Sequence, residues 1–486
     1  MVDTDSNGDL RESSVSRRRF MAATGATGAA MGIAGCLGGD DDEDGPTTIQ
    51  LSADADFQEI EDEIEAALYD AGLSEEIELE VLPGDFETDS RREDYQAALD
   101  AGRGDPDIFM MDSGWTIPFI LREQVLNLEE ELSDDVLSRV ENEYLEAAVD
   151  TATHPETGEL FALPFFPDYP VMQYRKDLVE EAGYDPEGEN WATEPMSWQE
   201  WAEMVADVWD YHGGEDEYTY GFTTQAAAYE GLACCTFNET MSSFGGAFFG
   251  GRENLFDRSD RPVTVTEEPV IETIRMMRAF MYGDEDEEAH PDFPQITNDD
   301  LVQYTEEDAR EPFTNGNAIF HRNWPYSVVI NGEEDAFGED LGTMPLPYGV
   351  SPGDSQYDGL GGTQHALGGW HLAVNPNSNN VQAALEVLEA FVDDDVMLTI
   401  FELNGNLPPV PEVVEAADPG ELGPIGRYLD TLAVAGEHTI PRPVTDVWPQ
   451  QAAQVYQEVH DAYTQTKTPE EAMEDLQEQL ETSDQD

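Results

Sequence analysis

Hydrophobic and polar positions in the first part of the chain follow two alternating periods. Residues 47–53 (TTIQLSA) and 76–82 (EIELEVL) have the spacing of strands. Between them, apolar residues recur at helical spacing up to Gly72: Phe57, Ile60, Ile64 and Leu68. A helix predicted near 88–102 leads to an apolar strand at 107–111. This β-α-β-α-β order favours a parallel sheet covered by helices, and so an α/β fold.

The later part of the chain continues the alternation. The tetrapeptide SWQE (197–200) has capping-box spacing and predicts the start of a helix. TPEE (468–471) is predicted to cap the last helix, with Pro469 at its first position. Further strands are predicted in YGFTTQ, NAIFHRNWPYSVVI and GGWHLAVNP, followed by a helix from Ser378 to Val392.

Length and charge narrow the class of protein. A chain of 486 residues is too long for one core, so two lobes are expected. The 107 acidic and 21 basic residues give a net charge of −86. Salt near 1 M screens such repulsion beyond about 3 Å, so the composition is typical of an extreme halophile. The charge argues against nucleic-acid binding, which requires basic patches.

The N-terminus has the pattern of an export signal. The SRRRFM segment (16–21) precedes a short apolar stretch that ends in IAGC at Cys36. This order is typical of a twin-arginine lipoprotein signal over 1–36, with Cys36 carrying the lipid. An acidic, flexible tether follows at 37–47. The pattern predicts a protein anchored to the outer face of the cell membrane.

The other cysteines, Cys234 and Cys235, are adjacent. Neighbouring Cα atoms lie near 3.8 Å apart, which is shorter than the usual disulfide span, so two buried thiols are expected. The nearby Asn238 begins a glycosylation sequon that could be used.

Acidic and aromatic residues cluster at the ends of predicted strands, where open α/β sheets bind ligands. These candidates are Asp112, Trp115, Phe166, Asp168, Trp324, Tyr326 and Trp370. Carboxylates accept hydrogen bonds from hydroxyls, and aromatic faces cover the C–H side of a sugar ring. Each cluster alone has an ordinary alternative, because such a Trp is often a core residue and such an Asp is often an N-cap.

The sequence evidence for catalysis is weaker than the evidence for ligand binding. The chain has no P-loop, H-E-x-x-H or G-x-S-x-G motif, so neither enzyme activity nor a cofactor is expected. An exported carbohydrate-active hydrolase remains the alternative, with Asp112 and Asp168 as acid and base.

Longer motifs carry a family resemblance. They include SRREDYQAALDAGRGDPDIFMMDSGW, ALPFFPDYPVMQYRKDLVEEAGY, YEGLACC, FTNGNAIFHRNWPYSV, LGGWHLAV and PRPVTDVWPQ. With these motifs the chain resembles the extracellular solute-binding proteins of ABC sugar importers, of the maltose/trehalose-binding type. The resemblance implies a two-lobe, type II periplasmic-binding-protein-like fold with a ligand cleft. It places the first lobe at 48–162 plus 344–407 and the second at 163–343 plus 408–486.

The resemblance also implies a site and partners. A sugar would be captured by hinge closure and delivered to an ABC permease by a monomeric, lipid-anchored protein. The ligand contacts implied by the motifs and strand-end clusters are Glu59, Arg91, Asp112, Trp115, Phe166, Asp168, Trp324, Tyr326, Gly369, Trp370 and Arg442. Glu59 and Arg91 match the family pattern least well.

Overall fold

Two β-sheets organise the computed structural model, which describes residues 45–84, 88–256 and 258–485. The strands in these ranges are β1 Thr47–Ala53, β2 Ile77–Pro83, β3 Ile108–Asp112, β4 Leu163–Asp168, β5 Val171–Arg175, β6 Tyr220–Thr223, β7 Ala318–Asn323, β8 Leu341–Met344, β9 His365–Val374 and β10 Thr439–Pro441. We refer to each sheet with the helices packed on it as a lobe.

The first sheet is mixed rather than parallel. Its order is β10-β9-β3-β1-β2, and β4 also pairs with β9. The predicted parallel arrangement holds for β1, β2 and β3, whereas β9 runs antiparallel to both β3 and β4. The second sheet has the order β6-β7-β5-β8.

Helices cover these sheets. Within the described ranges they are α1 Ala55–Glu59, α2 Glu61–Asp70, α3 Thr88–Asp100, α4 Thr116–Leu121, α5 Asp134–Glu143, α6 Glu146–Asp150, α7 Lys176–Glu181, α8 Trp198–Tyr211, α9 Phe237–Ser243, α10 Glu268–Tyr282, α11 Glu306–Thr314, α12 Pro325–Gly332, α13 Val381–Phe391, α14 Asp394–Asn404, α15 Pro411–Ala416, α16 Leu429–Glu437, α17 Trp448–Tyr463 and α18 Pro469–Ser483. A π-helix, Leu232–Thr236, leads into α9.

Local sequence signals account for several of these boundaries. The predicted caps are confirmed at the starts of α8 and α18, where Ser197 and Thr468 accept hydrogen bonds from the backbone and both complete capping boxes. The helix predicted through Ile60 is instead divided into α1 and α2, because Ile60 has φ −114° and ψ 18°, outside the helical range.

Each sheet has its own apolar core. Residues of β1 and α2 form part of the first core, in which Ile49, Leu51 and Ile64 are fully buried. The second core is rich in aromatic side chains, with Trp201 packed edge-on against Phe222 and Phe320. The two cores place the C-terminal pair α17 and α18 with the second sheet.

Strand pairing differs from the predicted division of the chain at three places. Met344 of β8 pairs with Met172 of β5 in the second sheet, although the resemblance assigned 344 to the first lobe. The strands β4 and β10 lie in the first sheet because both pair with β9, although the resemblance assigned 163–168 and 439–441 to the second lobe. The chain therefore passes from the first lobe to the second after β4, before β5 begins at Val171. The remaining boundaries stay a prediction.

The signal and tether, including Cys36, lie outside the described residues. Among the helices that are described, none combines the length and apolarity needed to cross a bilayer.

A buried ion pair fastens the C-terminal helices to the second lobe. Arg278 of α10 donates two hydrogen bonds to Asp286, at 2.5 and 2.7 Å, and both side chains are 5% exposed. Its Nη1 also donates to the carbonyl oxygens of Ala462 and Lys467, each at 3.1 Å. The guanidinium thus joins α10 to the connection between α17 and α18.

Arg278→Met is expected to lower the free energy of unfolding by about 3–5 kcal/mol, because it leaves the buried Asp286 carboxylate unpaired. Urea unfolding in molar salt measures the loss. The double variant Arg278→Met/Asp286→Asn removes the stranded charge and should recover part of the stability. If Arg278→Met lowers the free energy of unfolding by less than about 1 kcal/mol, the pair contributes no more than a solvent-exposed ion pair.

Candidate ligand-binding site

One cavity collects acidic and aromatic side chains from both lobes, and we call it the cleft. Its lining residues are Asp54, Asp56, Phe57, Thr88, Asp112, Phe166, Asp168, Tyr229, Glu230, Gly231, Cys234, Cys235, Glu306, Trp324, Tyr326, Gly368, Gly369, Trp370, Asn406 and Arg442. The set combines carboxylates, aromatic rings and a single guanidinium.

The pairing of β9 with two neighbours creates one wall of the cleft. Trp370 on β9 lies opposite Asp112 of β3 on one side and opposite Phe166 of β4 on the other. Residues far apart in the chain therefore meet in one row. Gly369 has φ +135°, and a Cβ there would lie 2.7 Å from the Phe166 carbonyl oxygen, so close pairing of β9 with β4 requires glycine.

Arg442 connects the lobes at the centre of the cleft. Its Nη1 lies 3.0 Å from Asp112 Oδ1 and 3.1 Å from Glu230 Oε1, and the Arg442 side chain is 3% exposed. Its Nη2 is 3.4 Å from Ser113 Oγ. A Cβ at Gly114 would lie 2.5 Å from Arg442 Nη1, so the glycine of the DSGW motif leaves room for the guanidinium.

Aromatic surfaces are held in place by groups behind them. The Arg91 guanidinium lies 4.6 Å from the centre of the Trp370 ring and forms an ion pair with Asp54. Trp324 is held in the same way, because Arg322 lies 4.7 Å from its ring centre. Both tryptophan rings thus pack against a guanidinium group.

Phe57 and Phe166 form a further aromatic surface of the cleft. Their ring centres are 6.1 Å apart and their planes are inclined by 25°. The two phenyl rings have no polar atoms, so they offer apolar contact only.

Several carboxyl groups of the cleft have altered acidity. Burial raises the pKa of Asp168 to about 8, although Arg322 opposes the shift. Burial likewise raises the pKa of Glu230 to about 8, opposed by Arg442. Burial also raises the pKa of Glu306. Near neutral pH, protonated Asp168 and Glu230 can donate hydrogen bonds, and their ionised forms can accept them.

A buried polar network lies behind the Trp324 side of the cleft. Arg322 makes a bidentate pair with Glu239 at 2.6 and 2.7 Å, and Glu239 also accepts a hydrogen bond from the Ala366 amide on β9. Arg322 further contacts Gln225, whose amide donates to Glu306 at 2.6 Å. This network links the second lobe to β9 and holds the cleft residue Glu306.

Most of the predicted contact residues line the cleft. They are Asp112, Phe166, Asp168, Trp324, Tyr326, Gly369, Trp370 and Arg442. The Gly369 carbonyl oxygen accepts a hydrogen bond from the Ser113 amide, which holds this part of the wall against β3.

Three predicted residues do not line the cleft. Trp115 is 2% exposed in the first core, where its Nε1 donates to Thr88 Oγ1 at 2.8 Å and its ring packs on Tyr95. Glu59 is exposed at the end of α1. Arg91 is fully buried behind Trp370, so it positions the ring and does not line the cavity.

Other cleft residues were missing from the prediction. Asp54 and Asp56 follow β1 as Asp112 ends β3, so the same strand-end signal applied to them. Glu230 lies within the YEG motif that carried the resemblance, without an assigned role. Glu306, at the start of α11, has no comparable signal in the sequence.

The prediction for the paired cysteines is wrong. Cys234 and Cys235 form a disulfide, and both line the cleft. Their Cα atoms are 3.7 Å apart, as expected for neighbours, so this short separation does not exclude the bond. The pair lies in the π-helix Leu232–Thr236. The sequon residue Asn238 is 2% exposed, and its amide donates to the Pro441 carbonyl oxygen at 3.4 Å, so in the folded protein it is not accessible to glycosylation.

Comparison with curated proteins identifies relatives among the binding proteins of transport systems. The chain is 29% identical over 303 residues to a probable ABC transporter-binding protein of Deinococcus radiodurans, a match that covers 62% of each chain. It is 25% identical over 190 residues to the sn-glycerol-3-phosphate-binding periplasmic protein UgpB of Escherichia coli K12, covering 39% of this chain and 36% of UgpB. The match therefore spans less than two thirds of either relative.

Comparison with solved structures gives a fuller overlap. Maltose-bound MalE3 of T. maritima superposes with a TM-score of 0.73 at 26% identity, covering 90% of this chain and 99% of MalE3. Such neighbours are two-lobe solute-binding proteins, in agreement with the predicted fold class. These relatives are not enzymes, and the comparisons give no support to the hydrolase alternative.

Residues 59–397 match the family described as bacterial extracellular solute-binding protein. With this match, the mixed α/β fold and the cleft between two lobes, the chain belongs to the bacterial extracellular solute-binding protein family.

Proposed function

We propose that the protein captures an uncharged, hydroxyl-rich solute, a di- or oligosaccharide such as maltose or trehalose, and delivers it to an ABC permease. The observation that carries this proposal is the lining of the cleft, where carboxyl groups and aromatic rings of both lobes face one cavity. Maltose bound to the similar MalE3 of T. maritima supports the same ligand class.

The groups of the cleft suit a sugar. Asp56, Asp168 and Glu306 supply oxygen atoms that can accept hydrogen bonds from neighbouring hydroxyls. Trp324 and Trp370 supply flat apolar faces for the C–H side of the rings. A ligand with alternating hydroxyl edges and apolar faces uses both kinds of group.

The charge of the cleft disfavours an anionic ligand. Arg442 is the guanidinium among its lining residues, and that group already pairs with Asp112 and Glu230. Arg322, behind the Trp324 ring, is engaged by Glu239. A phosphate ester would enter beside carboxylates without an available cation, at a large electrostatic cost. We therefore favour a neutral sugar over the sn-glycerol 3-phosphate named for UgpB.

Capture would use closure of the lobes without chemical change to the ligand. Asp112 and Trp370 belong to the first sheet, whereas Glu230 and Trp324 belong to segments of the second lobe. A ligand that touches both sets binds the closed form more tightly, and this difference in affinity drives closure. The closed protein would then dock on the permease.

Export is implied by the extracellular family. The finer proposal is a twin-arginine route and a lipid on Cys36 that keeps a monomeric protein beside its permease, at high effective concentration. The charge of −86 supports function in concentrated salt, where repulsion between surface carboxylates is screened.

Trp370→Ala is expected to weaken maltose or trehalose binding by about tenfold or more, or 1.4 kcal/mol, because the stacking surface is lost. Titration calorimetry in molar salt measures the affinity. Trp115→Phe is the matched control: it alters an indole in the core beside Thr88, and affinity should stay within about twofold. Equal effects of the two substitutions would contradict this assignment, as would binding of glycerol 3-phosphate in preference to both sugars.

Sugar affinity is expected to rise with pH between about 6 and 8. The ligand-free pKa of Asp168 is about 8, and hydroxyls that donate to the ionised carboxylate lower it, so binding releases protons. Above pH 8 the group is already ionised and the affinity levels off. Calorimetry in buffers of different ionisation enthalpy counts the protons, and Asp168→Asn should reduce the count. Net proton uptake by the wild type would contradict the proposed contact.

Cys36→Ala is expected to move the exported protein from the membrane fraction to the soluble fraction, because the lipid attachment site is lost. Cell fractionation in a host with a twin-arginine route measures the distribution. The paired substitution Arg17→Lys/Arg18→Lys is a separate control that should block export itself. Retention of the Cys36→Ala protein on washed membranes would reject the lipid anchor.

A further inference from the structure

We propose that the disulfide between Cys234 and Cys235, here called the disulfide patch, is part of the surface that contacts the ligand. We further propose that its reduction weakens ligand binding. The inference rests on the proposed function, since it adds a contact and a redox dependence to the sugar cleft. It gives the cysteine pair two effects on ligand affinity: a direct contact and a dependence on the redox state.

The position of the disulfide patch is the first support. Both cysteines line the cleft, although they are only 5% and 3% exposed, so their accessible atoms face this cavity. They pack in one cluster with Trp324 and Ala366, and Tyr326 contacts that cluster. A ligand resting on Trp324 therefore lies beside the two sulfur atoms.

The backbone around the pair is the second support. In a regular α-helix, adjacent side chains point about 100° apart, so consecutive residues do not share one face. Cys234 and Cys235 lie in the π-helix Leu232–Thr236, a form of helix that is frequent at functional sites. The covalent bond holds both sulfur atoms together at the cleft.

The chemistry of the patch complements its neighbours. A disulfide carries no proton and offers a polarisable, apolar surface, which suits the C–H face of a sugar ring better than its hydroxyls. The surrounding carboxyls of Asp168 and Glu306 suit the hydroxyls. The patch and the Trp324 ring would thus form one continuous apolar surface among acidic groups.

The disulfide also constrains the residues just before it. Glu230 and Gly231 line the cleft immediately ahead of the π-helix, and Glu230 pairs with Arg442. Opening the disulfide lets the two cysteine side chains separate, which loosens the segment that carries Glu230. Loss of the disulfide is therefore expected to change both the apolar contact and the position of the Arg442 pair.

Reduction requires an external two-electron reductant, and a small dithiol provides it. The S–S bond of the protein breaks and two cysteine thiols form, while the dithiol closes to its own disulfide and supplies both electrons and both protons. Disulfides persist outside the cell, so the exported protein is expected to act in the oxidised form.

The test compares oxidised and dithiothreitol-treated full-length protein by calorimetry with maltose and trehalose, in molar salt. Reduction is expected to weaken binding by about tenfold. The variant Cys234→Ala/Cys235→Ala should show a similar loss and no response to dithiothreitol. Unchanged affinity in both the reduced protein and this variant would overturn the inference and leave the proposed function intact. Failure of the oxidised protein to bind either sugar would reject both.

A second measurement does not depend on how well the variant folds. Saturating sugar should slow reduction of the wild-type disulfide by about fivefold or more, because a bound ligand covers the patch and opening must precede attack. Alkylation of the released thiols followed by mass spectrometry measures the rate, and the charged non-ligand glycerol 3-phosphate is the control. An equal rate with and without bound sugar would show that the ligand does not cover the disulfide.

Discussion

The arrangement of the cleft depends on one buried guanidinium. Arg442 follows β10 in the first sheet, yet it pairs with both Asp112 of β3 and Glu230 of the second lobe. Two carboxyl groups withdrawn from water would be costly beside each other, and the guanidinium between them offsets that cost. The glycine at position 114 gives it room. Arg442 thus joins the two lobes at the centre of the cleft, beside the second connection made by Arg322, Glu239 and the Ala366 amide.

Elsewhere in the cleft, burial favours the neutral form of a carboxyl group. Within the described residues Asp168 forms no ion pair, and burial raises its pKa to about 8 although Arg322 opposes the shift. The cleft therefore contains one region in which Arg442 contacts two carboxyl groups and a second region, near Asp168, without such a guanidinium contact. A ligand that brings its own hydrogen-bond donors can satisfy the second region without disturbing the first. This division supports the proposal of a polar but uncharged solute.

The sequence predicted the class of fold and much of the cleft because strand ends and caps are local features. Asp112 and Trp370 were found in this way, and the register of β3 with β9 brings them together. The antiparallel path of β9 between β3 and β4 depends on pairing over long separations, which no local pattern encodes. Trp115 and Trp370 follow similar motifs, but only the fold shows that one indole enters the core. The adjacent cysteines illustrate a different limit, because two thiols were expected from a short Cα separation and a disulfide is present at 3.7 Å.

The central position of β9 affects the order in which the first sheet can form. The strands β1, β2 and β3 leave the ribosome early, but the free edge of β3 has no partner until residues 365–374 have been made. The N-terminal lobe therefore cannot complete its sheet during synthesis of its own first segment. The strand that pairs with the edge of β3 comes from residues 365–374. Folding of the first sheet therefore requires contacts between distant parts of the chain.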